Sequence, residues 1–326
     1  MEENILHTQQ IVRRFGGGKT LLGKQKPTVH AIRGIDLQVQ QGEILGVVGE
    51  SGCGKSTLAK MLVGLDKPSE GNIYFHKQNL AVFAKQNRHE LCRQIQYVFQ
   101  DPLSALNPRK TIGDILSTPM VHLLYMNQAN RTEQLQTLMS DISLPTDFLQ
   151  RYPHELSGGQ AQRIGIARTL TVKPSLLILD EPVSALDVSV QAQILNLLSN
   201  LKNRYQLTYV FISHDLSVVE AISDRVIVMY FGRVVEQGPA QTLFNNPSHH
   251  YTRLLLDSVP MPGKPLVVEA ANTTELPDPF FPPPGCAFAP RCPKATEHCR
   301  QVMPELQQMK YTNHQVACHF PLEEIE

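Results

Sequence analysis

The stretch ILGVVGESGCGKST, residues 44–57, decides the fold of this chain. Its opening, ILGVVGE, is a mostly apolar, β-branched run typical of a buried strand, and a helical pattern extends from Ser56 to Leu65. Between them, GESGCGKST matches the spacing G-x-x-x-x-G-K-[ST] of a phosphate-binding loop. We therefore predict that a nucleotide binds where this strand meets this helix.

Each residue type in the loop has a physical role. Glycines let the backbone curl so that successive N–H groups face phosphate oxygens, and the helix N-terminus adds the positive end of its dipole. Lys55 is predicted to reach the β- and γ-phosphates of ATP, and the Ser56 hydroxyl to bind Mg²⁺. The loop residues predicted to hold the nucleotide are Gly49, Ser51, Gly52, Gly54, Lys55, Ser56 and Thr57.

A second apolar run, LLILDE at residues 176–181, ends in two carboxylates. Considered alone, these carboxylates could equally well be solvated charges at a strand end. A phosphate loop in the same chain favours a functional role instead. We predict that Asp180 helps to hold the metal and its water shell. Glu181, which projects differently, is predicted to polarise the attacking water.

Strands and helices alternate along the rest of the main domain, which predicts an α/β fold with a mostly parallel sheet. Residues 112–150 are predicted to be helical, and a short helix is predicted over 163–170. The other predicted elements are strands over 94–101 and 207–215, a helix over 191–205 and a hairpin around Gly232 over 226–238.

Composition excludes several classes of protein. The chain has 326 residues with 30 basic and 30 acidic side chains, and this neutral balance argues against a dedicated nucleic-acid binder. No apolar run reaches the length of a transmembrane helix, and the first residues, MEENILHTQQ, lack the pattern of a secretory signal. We therefore expect a cytosolic chain unless a partner holds it at a membrane.

The pentapeptide LSGGQ, residues 156–160, resembles the signature of ABC-type ATPases. The other elements of that family follow in its order: Gln100 after a strand, Asp187 in SALD, and His214 in FISHD. The resemblance covers roughly residues 5–255. It implies a P-loop ABC ATPase domain with a mostly parallel core sheet, an antiparallel β subdomain and a helical signature subdomain.

The resemblance also implies roles for individual residues. Two ATPase domains would pair head to tail, so that Ser157 and Gly159 of one chain act on ATP held by the other; a second chain is needed because no motif repeats. Ser157 is equally suited to capping its helix. The implied catalytic residues are Glu181 as general base, His214 on the γ-phosphate and Gln100 on Mg²⁺ or the water. Phe15 lies where the family stacks an aromatic ring on adenine, although an ordinary loop aromatic is nearly as plausible an explanation.

Two longer stretches, residues 100–116 and 180–198, closely resemble the ATPases of oligopeptide, dipeptide and nickel importers, as do parts of the tail, 246–260 and 282–293. The similarity is greatest to the second, F-type ATPase of dipeptide and oligopeptide systems. It implies an ATP-hydrolysing subunit at the cytoplasmic face of the inner membrane. Its implied partners are two transmembrane permeases, a second homologous ATPase forming a heterodimer and, indirectly, an external solute-binding protein, with no nucleic acid.

Three alternatives remain open at this point. The same ATPase could drive a nickel or metal-chelate importer, since the ATPase itself does not touch the cargo. A soluble ABC ATPase acting on DNA or ribosomes is the second alternative, but such proteins usually carry a long coiled-coil insertion or two cassettes, and this sequence has neither. The third alternative is a regulatory or purely structural ATP-binding subunit.

The composition changes after residue 258, which predicts an ATPase domain at 1–258 and a tail at 259–326 that begins with a proline-rich linker. Four cysteines in this tail have the spacing C-x5-C-x6-C-x18-C and could surround one metal. The resemblance implies a [4Fe–4S] cluster; Zn²⁺, with His298 or His319 replacing a thiolate, and unligated thiols are the alternatives. The predicted ligands are Cys286, Cys292, Cys299 and Cys318.

Overall fold

The computed structural model describes residues 4–18, 26–258, 276–309 and 313–322, which form two β-sheets surrounded by helices. The strands are β1 (Asn4–Gly16), β2 (Thr28–Gln40), β3 (Ile44–Val48), β4 (Glu70–Phe75), β5 (Gln78–Asn79), β6 (Ile95–Val98), β7 (Leu176–Asp180), β8 (Thr208–Ile212), β9 (Arg225–Tyr230), β10 (Arg233–Pro239), β11 (Gln307–Gln308) and β12 (Gln315–Val316). The α-helices are α1 (Lys55–Leu62), α2 (Leu80–Gln86), α3 (Arg88–Gln94), α4 (Ile112–Leu124), α5 (Gln128–Asp141), α6 (Gly158–Leu170), α7 (Val188–Tyr205), α8 (Leu216–Ile222), α9 (Ala240–Asn245), α10 (His250–Asp257) and α11 (Glu297–Gln301). Short 3₁₀ helices cover Thr146–Gln150, Pro153–Glu155 and Ala289–Arg291. No helix within the described ranges is both long and apolar enough to cross a membrane.

The larger sheet has the strand order β11-β12-β10-β9-β3-β8-β7-β6. Its centre is parallel, because β3 pairs in parallel with β8 and β9, and β7 with β6 and β8. Every residue of β3, β7 and β8 is buried, as expected for parallel strands covered on both faces. Parallel strands present their carboxyl ends at one edge, so the segments after Val48, Asp180 and Ile212 meet there.

The smaller sheet is antiparallel, with the order β2-β1-β4-β5, and packs beside the larger one. Ile32 and Ile35 of β2 lie in the same buried cluster as Leu45 of β3 and Leu58 of α1. A separate group of helices, α4 to α6, packs through residues such as Leu116, Leu138 and Ile164. These parts confirm the expected ABC ATPase fold with its antiparallel and helical subdomains.

Three helices differ from their predicted bounds, and one of them, predicted over 191–205, begins at Val188 because Asp187 caps it. The helix predicted over 56–65 ends at Leu62, because Gly64 adopts a left-handed conformation, with φ at 77°, that closes the helix. Leu65, the last residue of the predicted helix, lies beyond this end and is 60% exposed. The helix predicted over 163–170 begins earlier, at Gly158, because Ser157 caps it.

The hairpin predicted around Gly232 is confirmed. Arg233 pairs with Tyr230, which leaves Phe231 and Gly232 as a two-residue loop. Both loop residues have positive φ, 45° and 76°, as a type I′ turn requires.

The C-terminal part of the chain joins the larger sheet. Val316 of β12 pairs with Glu236 of β10, and Phe288 is fully buried. The proline-rich linker was predicted to begin at residue 259, and residues 259–275 lie outside those that the structure describes.

A buried histidine beside this junction predicts how stability depends on pH. His249 is almost completely buried, its Nδ1 accepts a hydrogen bond from the Tyr251 N–H, and burial lowers its pKa to about 4. Below pH 6.5 the unfolded chain therefore takes up a proton at this residue that the folded chain refuses, and stability falls as the pH drops toward 4. Over that window the loss from this residue alone is about 3 kcal/mol.

The measurement is the free energy of unfolding in urea between pH 7.5 and pH 4.5. In His249→Asn, the side chain keeps an acceptor at the start of α10 but does not titrate, so its stability should decline less steeply than that of the unchanged protein. His122→Asn, an exposed substitution on α4, is the control. Equal slopes for His249→Asn and the unchanged protein would contradict the prediction.

Candidate active site

The phosphate-binding loop joins β3 to α1 and is packed tightly against two neighbouring strands. A Cβ on Gly49 would lie 2.2 Å from the Met229 carbonyl oxygen, and one on Gly54 would lie 2.6 Å from the Ala31 carbonyl oxygen. Only glycine allows this approach, so the loop keeps the curled backbone that phosphate binding requires.

Lys55 is held inside the loop. Its Nζ donates hydrogen bonds to the backbone oxygens of Gly49, at 2.6 Å, and Glu50, at 3.0 Å, and the residue is only 6% exposed. The ammonium group is therefore pre-positioned within the loop whose N–H groups would hold the phosphates.

Oxygen ligands suited to Mg²⁺ lie beside the loop. The Ser56 Oγ donates to Asp180 Oδ1 at 3.3 Å, and Asp180 is 5% exposed at the end of β7. Hydroxyl and carboxylate oxygens are the donors that Mg²⁺ prefers, so the residues present fit this metal.

Tyr97 is a part of the site that the sequence analysis missed. Its hydroxyl donates to Asp180 Oδ2 at 2.5 Å, and burial together with this bond raises the tyrosine pKa. Tyr97 thus keeps Asp180 pointing toward Ser56. The available signal was a tyrosine within a buried strand, since its hydroxyl needs a partner there.

Glu181 contacts the two other predicted catalytic residues. Its Oε2 accepts from Gln100 Nε2 at 3.1 Å, and its Oε1 lies 3.2 Å from His214 Nδ1. Its φ is 49°, a conformation uncommon for a residue with a side chain, and its N–H donates to Ile212 O at 2.9 Å. Such backbone strain is typical of functional sites.

A cavity of about 570 Å³ brings these groups together. Gln100, Glu181 and His214 line it opposite the loop residues, with part of β2 and Pro279 at its margin. The loop residues that line it are Ser51, Gly52, Gly54, Lys55, Ser56 and Thr57.

Phe15 does not line this cavity. It is 39% exposed at the end of β1, and the Arg13 guanidinium lies 4.4 Å from its ring centroid. Its strand partner Val29, however, does line the cavity, so the ring is one strand away.

The signature residues also lie outside the cavity, at the start of α6. Ser157 Oγ accepts from the Gln160 N–H at 3.4 Å, and Gln160 Oε1 accepts from the Ser157 N–H at 2.9 Å, a capping box. A Cβ on Gly159 would lie 2.6 Å from Val190 Cγ1 of α7, so this glycine also permits helix packing. Asp187 caps α7 by accepting from the Val190 N–H, and such bonds lower its pKa.

The predicted metal centre of the tail is wrong. Cys286, Cys292, Cys299 and Cys318 line one small pocket of about 20 Å³, but no three His, Cys, Asp or Glu side chains in the described part of the chain are placed to hold a metal ion. The [4Fe–4S] cluster and its Zn²⁺ alternative are therefore both unsupported.

These cysteines lie in partly or fully buried surroundings. Burial raises the pKa values of Cys286 and Cys292, and that of Cys318 to about 11. Strand pairing of β12 with β10 and burial of Phe288 stabilise this segment.

Comparisons with known proteins agree with this geometry. Residues 32–184 match the family model described as ABC transporter, and residues 235–299 match the Oligopeptide/dipeptide transporter, C-terminal region. The Di/tripeptide transport ATP-binding protein DppF of Pseudomonas aeruginosa is 44% identical, over 97% of this chain and 98% of its own. The Dipeptide transport ATP-binding protein DppF of Haemophilus influenzae is 48% identical, over 86% of each chain.

A solved structure shows the same fold. The ATP-binding cassette MJ0796, in a dimeric post-hydrolysis state bound to ADP and Pi, superposes with a TM-score of 0.64 at 26% identity and covers 72% of this chain and 98% of its own. From the site, the family matches and these relatives, it follows that the chain belongs to the ABC transporter ATP-binding proteins of the oligopeptide/dipeptide group and is an ATP-hydrolysing enzyme.

Proposed function

We propose that this chain powers the uptake of di- or oligopeptides through a pair of membrane permeases. The observation that carries the proposal is an assembled ATPase site in a chain whose residues 235–299 match the C-terminal region of peptide transporters. Relatives named for di/tripeptide and dipeptide transport, similar over most of the chain, support it. The permeases, a second homologous ATPase and, indirectly, an external solute-binding protein are the proposed partners. They would hold the chain at the cytoplasmic face of the membrane.

The polar residues in and beside the cavity have proposed parts in hydrolysis. Lys55 and the loop N–H groups hold the β- and γ-phosphates, and Glu181 accepts a proton from the attacking water. His214 contacts the γ-phosphate and Gln100 orients the water. Ser56 and Gln100, with the Asp180 carboxylate bonded to Ser56, would hold Mg²⁺, which would neutralise charge on the phosphate oxygens.

We propose that Phe15 stacks on adenine. The support is its register opposite Val29, which lines the cavity.

We also propose that the chain divides into an ATPase domain, 1–258, and a C-terminal segment, 259–326. The described part of that segment packs on the ATPase domain through β12.

The exposed signature loop supports a site completed by a second chain. Ser157 is exposed at the start of α6 and lies outside the cavity of its own chain. Ser157→Ala should therefore leave ATP binding by the isolated chain unchanged but lower hydrolysis by the assembled transporter at least about tenfold, since one hydrogen bond to a charged group is lost.

The control separates this effect from the loss of a helix cap. Thr111 caps α4 in the same way, accepting from the Asp114 N–H at 3.2 Å, so Thr111→Ala should cost about 1 kcal/mol of stability without changing turnover. If the isolated chain at high dilution hydrolysed ATP as fast as the assembled transporter, the two-chain site would be refuted.

Reconstitution tests the cargo. The chain, its permeases and its partner ATPase are placed in liposomes with the solute-binding protein, and ATP turnover is measured with a tripeptide or a nickel chelate. Stimulation by the tripeptide alone is expected. Stimulation by the nickel chelate alone would replace the peptide assignment by the nickel one, and stimulation by neither would refute the import of either.

A further inference from the structure

The C-terminal segment is tied directly to the phosphate-binding loop by an ion pair. Arg291 Nη1 and Nη2 donate to Glu50 Oε2 and Oε1, each at 2.8 Å, in a two-armed arrangement. The Arg291 side chain is 19% exposed and that of Glu50 is 27% exposed. Glu50 is the second residue of the loop, and its carboxylate has no part in the hydrolysis described above.

Aromatic packing sets the position of the Arg291 guanidinium. It lies 5.6 Å from the ring centroid of Phe288 and 6.0 Å from that of Tyr230. Phe288 is itself fully buried against Tyr230 and Tyr251. A guanidinium held against ring faces loses little further freedom on binding a carboxylate, so the pair is preorganised.

The backbone of Glu50 connects this pair to Lys55. Its N–H donates to the Tyr251 hydroxyl at 2.8 Å, and its carbonyl accepts from Lys55 Nζ at 3.0 Å. One loop residue therefore contacts α10, the C-terminal segment and the lysine predicted to bind the phosphates.

We propose that Arg291 is a positioning residue for ATP, which it serves by holding and neutralising Glu50. The inference rests on the proposed seat of the phosphates in the loop and is independent of the cargo. Without Arg291, a free carboxylate would lie in the loop that must receive a polyphosphate, and the two negative charges would repel each other. Glu50 would also lose the side-chain contact that ties it to the C-terminal segment.

The test compares the affinities of full-length variants for MgATP. Arg291→Met keeps the apolar stem against the rings but loses the charge, and it should raise the Kd for ATP about tenfold, with a matching rise in KM and little change in kcat. Arg300→Met, an exposed substitution on α11 in the same segment, is the control and should bind ATP as the unchanged protein does. Lys55→Ala confirms that the assay reports on the loop.

A second substitution distinguishes a role of Arg291 in ATP binding from a role in stabilising the fold alone. Glu50→Gln removes the repelling charge, so Glu50→Gln combined with Arg291→Met should bind ATP several-fold more tightly than Arg291→Met alone. Arg291→Lys keeps the charge but not the two-armed geometry and should be intermediate. If Arg291→Met does not fold, as judged by circular dichroism, Arg291→Lys with and without Glu50→Gln provides the same comparison.

Unchanged ATP affinity in a folded Arg291→Met, or no recovery in the double variant, would overturn the proposal. Because the Kd measurement needs neither permease nor cargo, its failure is distinct from a failure of peptide import.

Discussion

Glu181→Gln is expected to lower ATP turnover by at least about 100-fold while ATP still binds. The carboxylate lies between Gln100 Nε2, at 3.1 Å, and His214 Nδ1, at 3.2 Å. Glutamine has the same shape but cannot accept the proton of the attacking water. ATP then stays intact, and the closed pair of ATPases should accumulate. The measurements are kcat, the Kd for MgATP and the size of the complex on gel filtration with MgATP.

Glu220→Gln, an exposed substitution on α8, is the control for loss of a carboxylate. It should leave all three measurements unchanged. Glu181→Gln with normal turnover would assign the general base elsewhere, and its complete loss of ATP binding would mean that Glu181 holds the nucleotide.

Lys55→Ala should instead weaken ATP binding about 10- to 100-fold, because charge-assisted bonds to the phosphates are lost. In the structure, Lys55 Nζ donates to the Gly49 and Glu50 carbonyls inside the loop, so the variant also loses two hydrogen bonds that shape the loop. Equilibrium binding of MgATP measures the first effect, and thermal unfolding without nucleotide measures the second.

Lys60→Ala, an exposed substitution in the last turn of the same helix, controls for the loss of a positive charge near the site. It should bind ATP normally. Equal loss of ATP affinity in Lys55→Ala and Glu181→Gln would contradict the separate roles assigned to them.

The convergence of Gln100, Glu181 and His214 could be predicted because each follows a strand. In a parallel sheet, residues that follow neighbouring strands meet at one edge. The order of the family motifs along the chain identified which three residues these are. The phosphate loop could be predicted because its chemistry depends on local spacing: the glycines and Lys55 lie within a few residues of one another in the sequence.

The four-cysteine tail shows where such reasoning fails. The spacing predicted that the four thiols lie together, and they do line one pocket. In the described part of the chain, however, no three potential ligands are placed to hold a metal ion. Spacing along the chain does not determine how side chains are placed in space, so the metal centre could not be predicted from it.

The sequence by itself determined the phosphate-loop motif, the proposed catalytic carboxylate and the family, because those features depend on short-range order along the chain. Only the tertiary structure decided that Tyr97 orients Asp180 and that Gly159 admits Val190. The tertiary structure alone also joined Arg291 to Glu50, two residues 241 positions apart in the chain. These contacts depend on distances of a few ångströms between distant segments, and hydrogen bonding, packing and Coulomb attraction act over distance in space rather than along the chain.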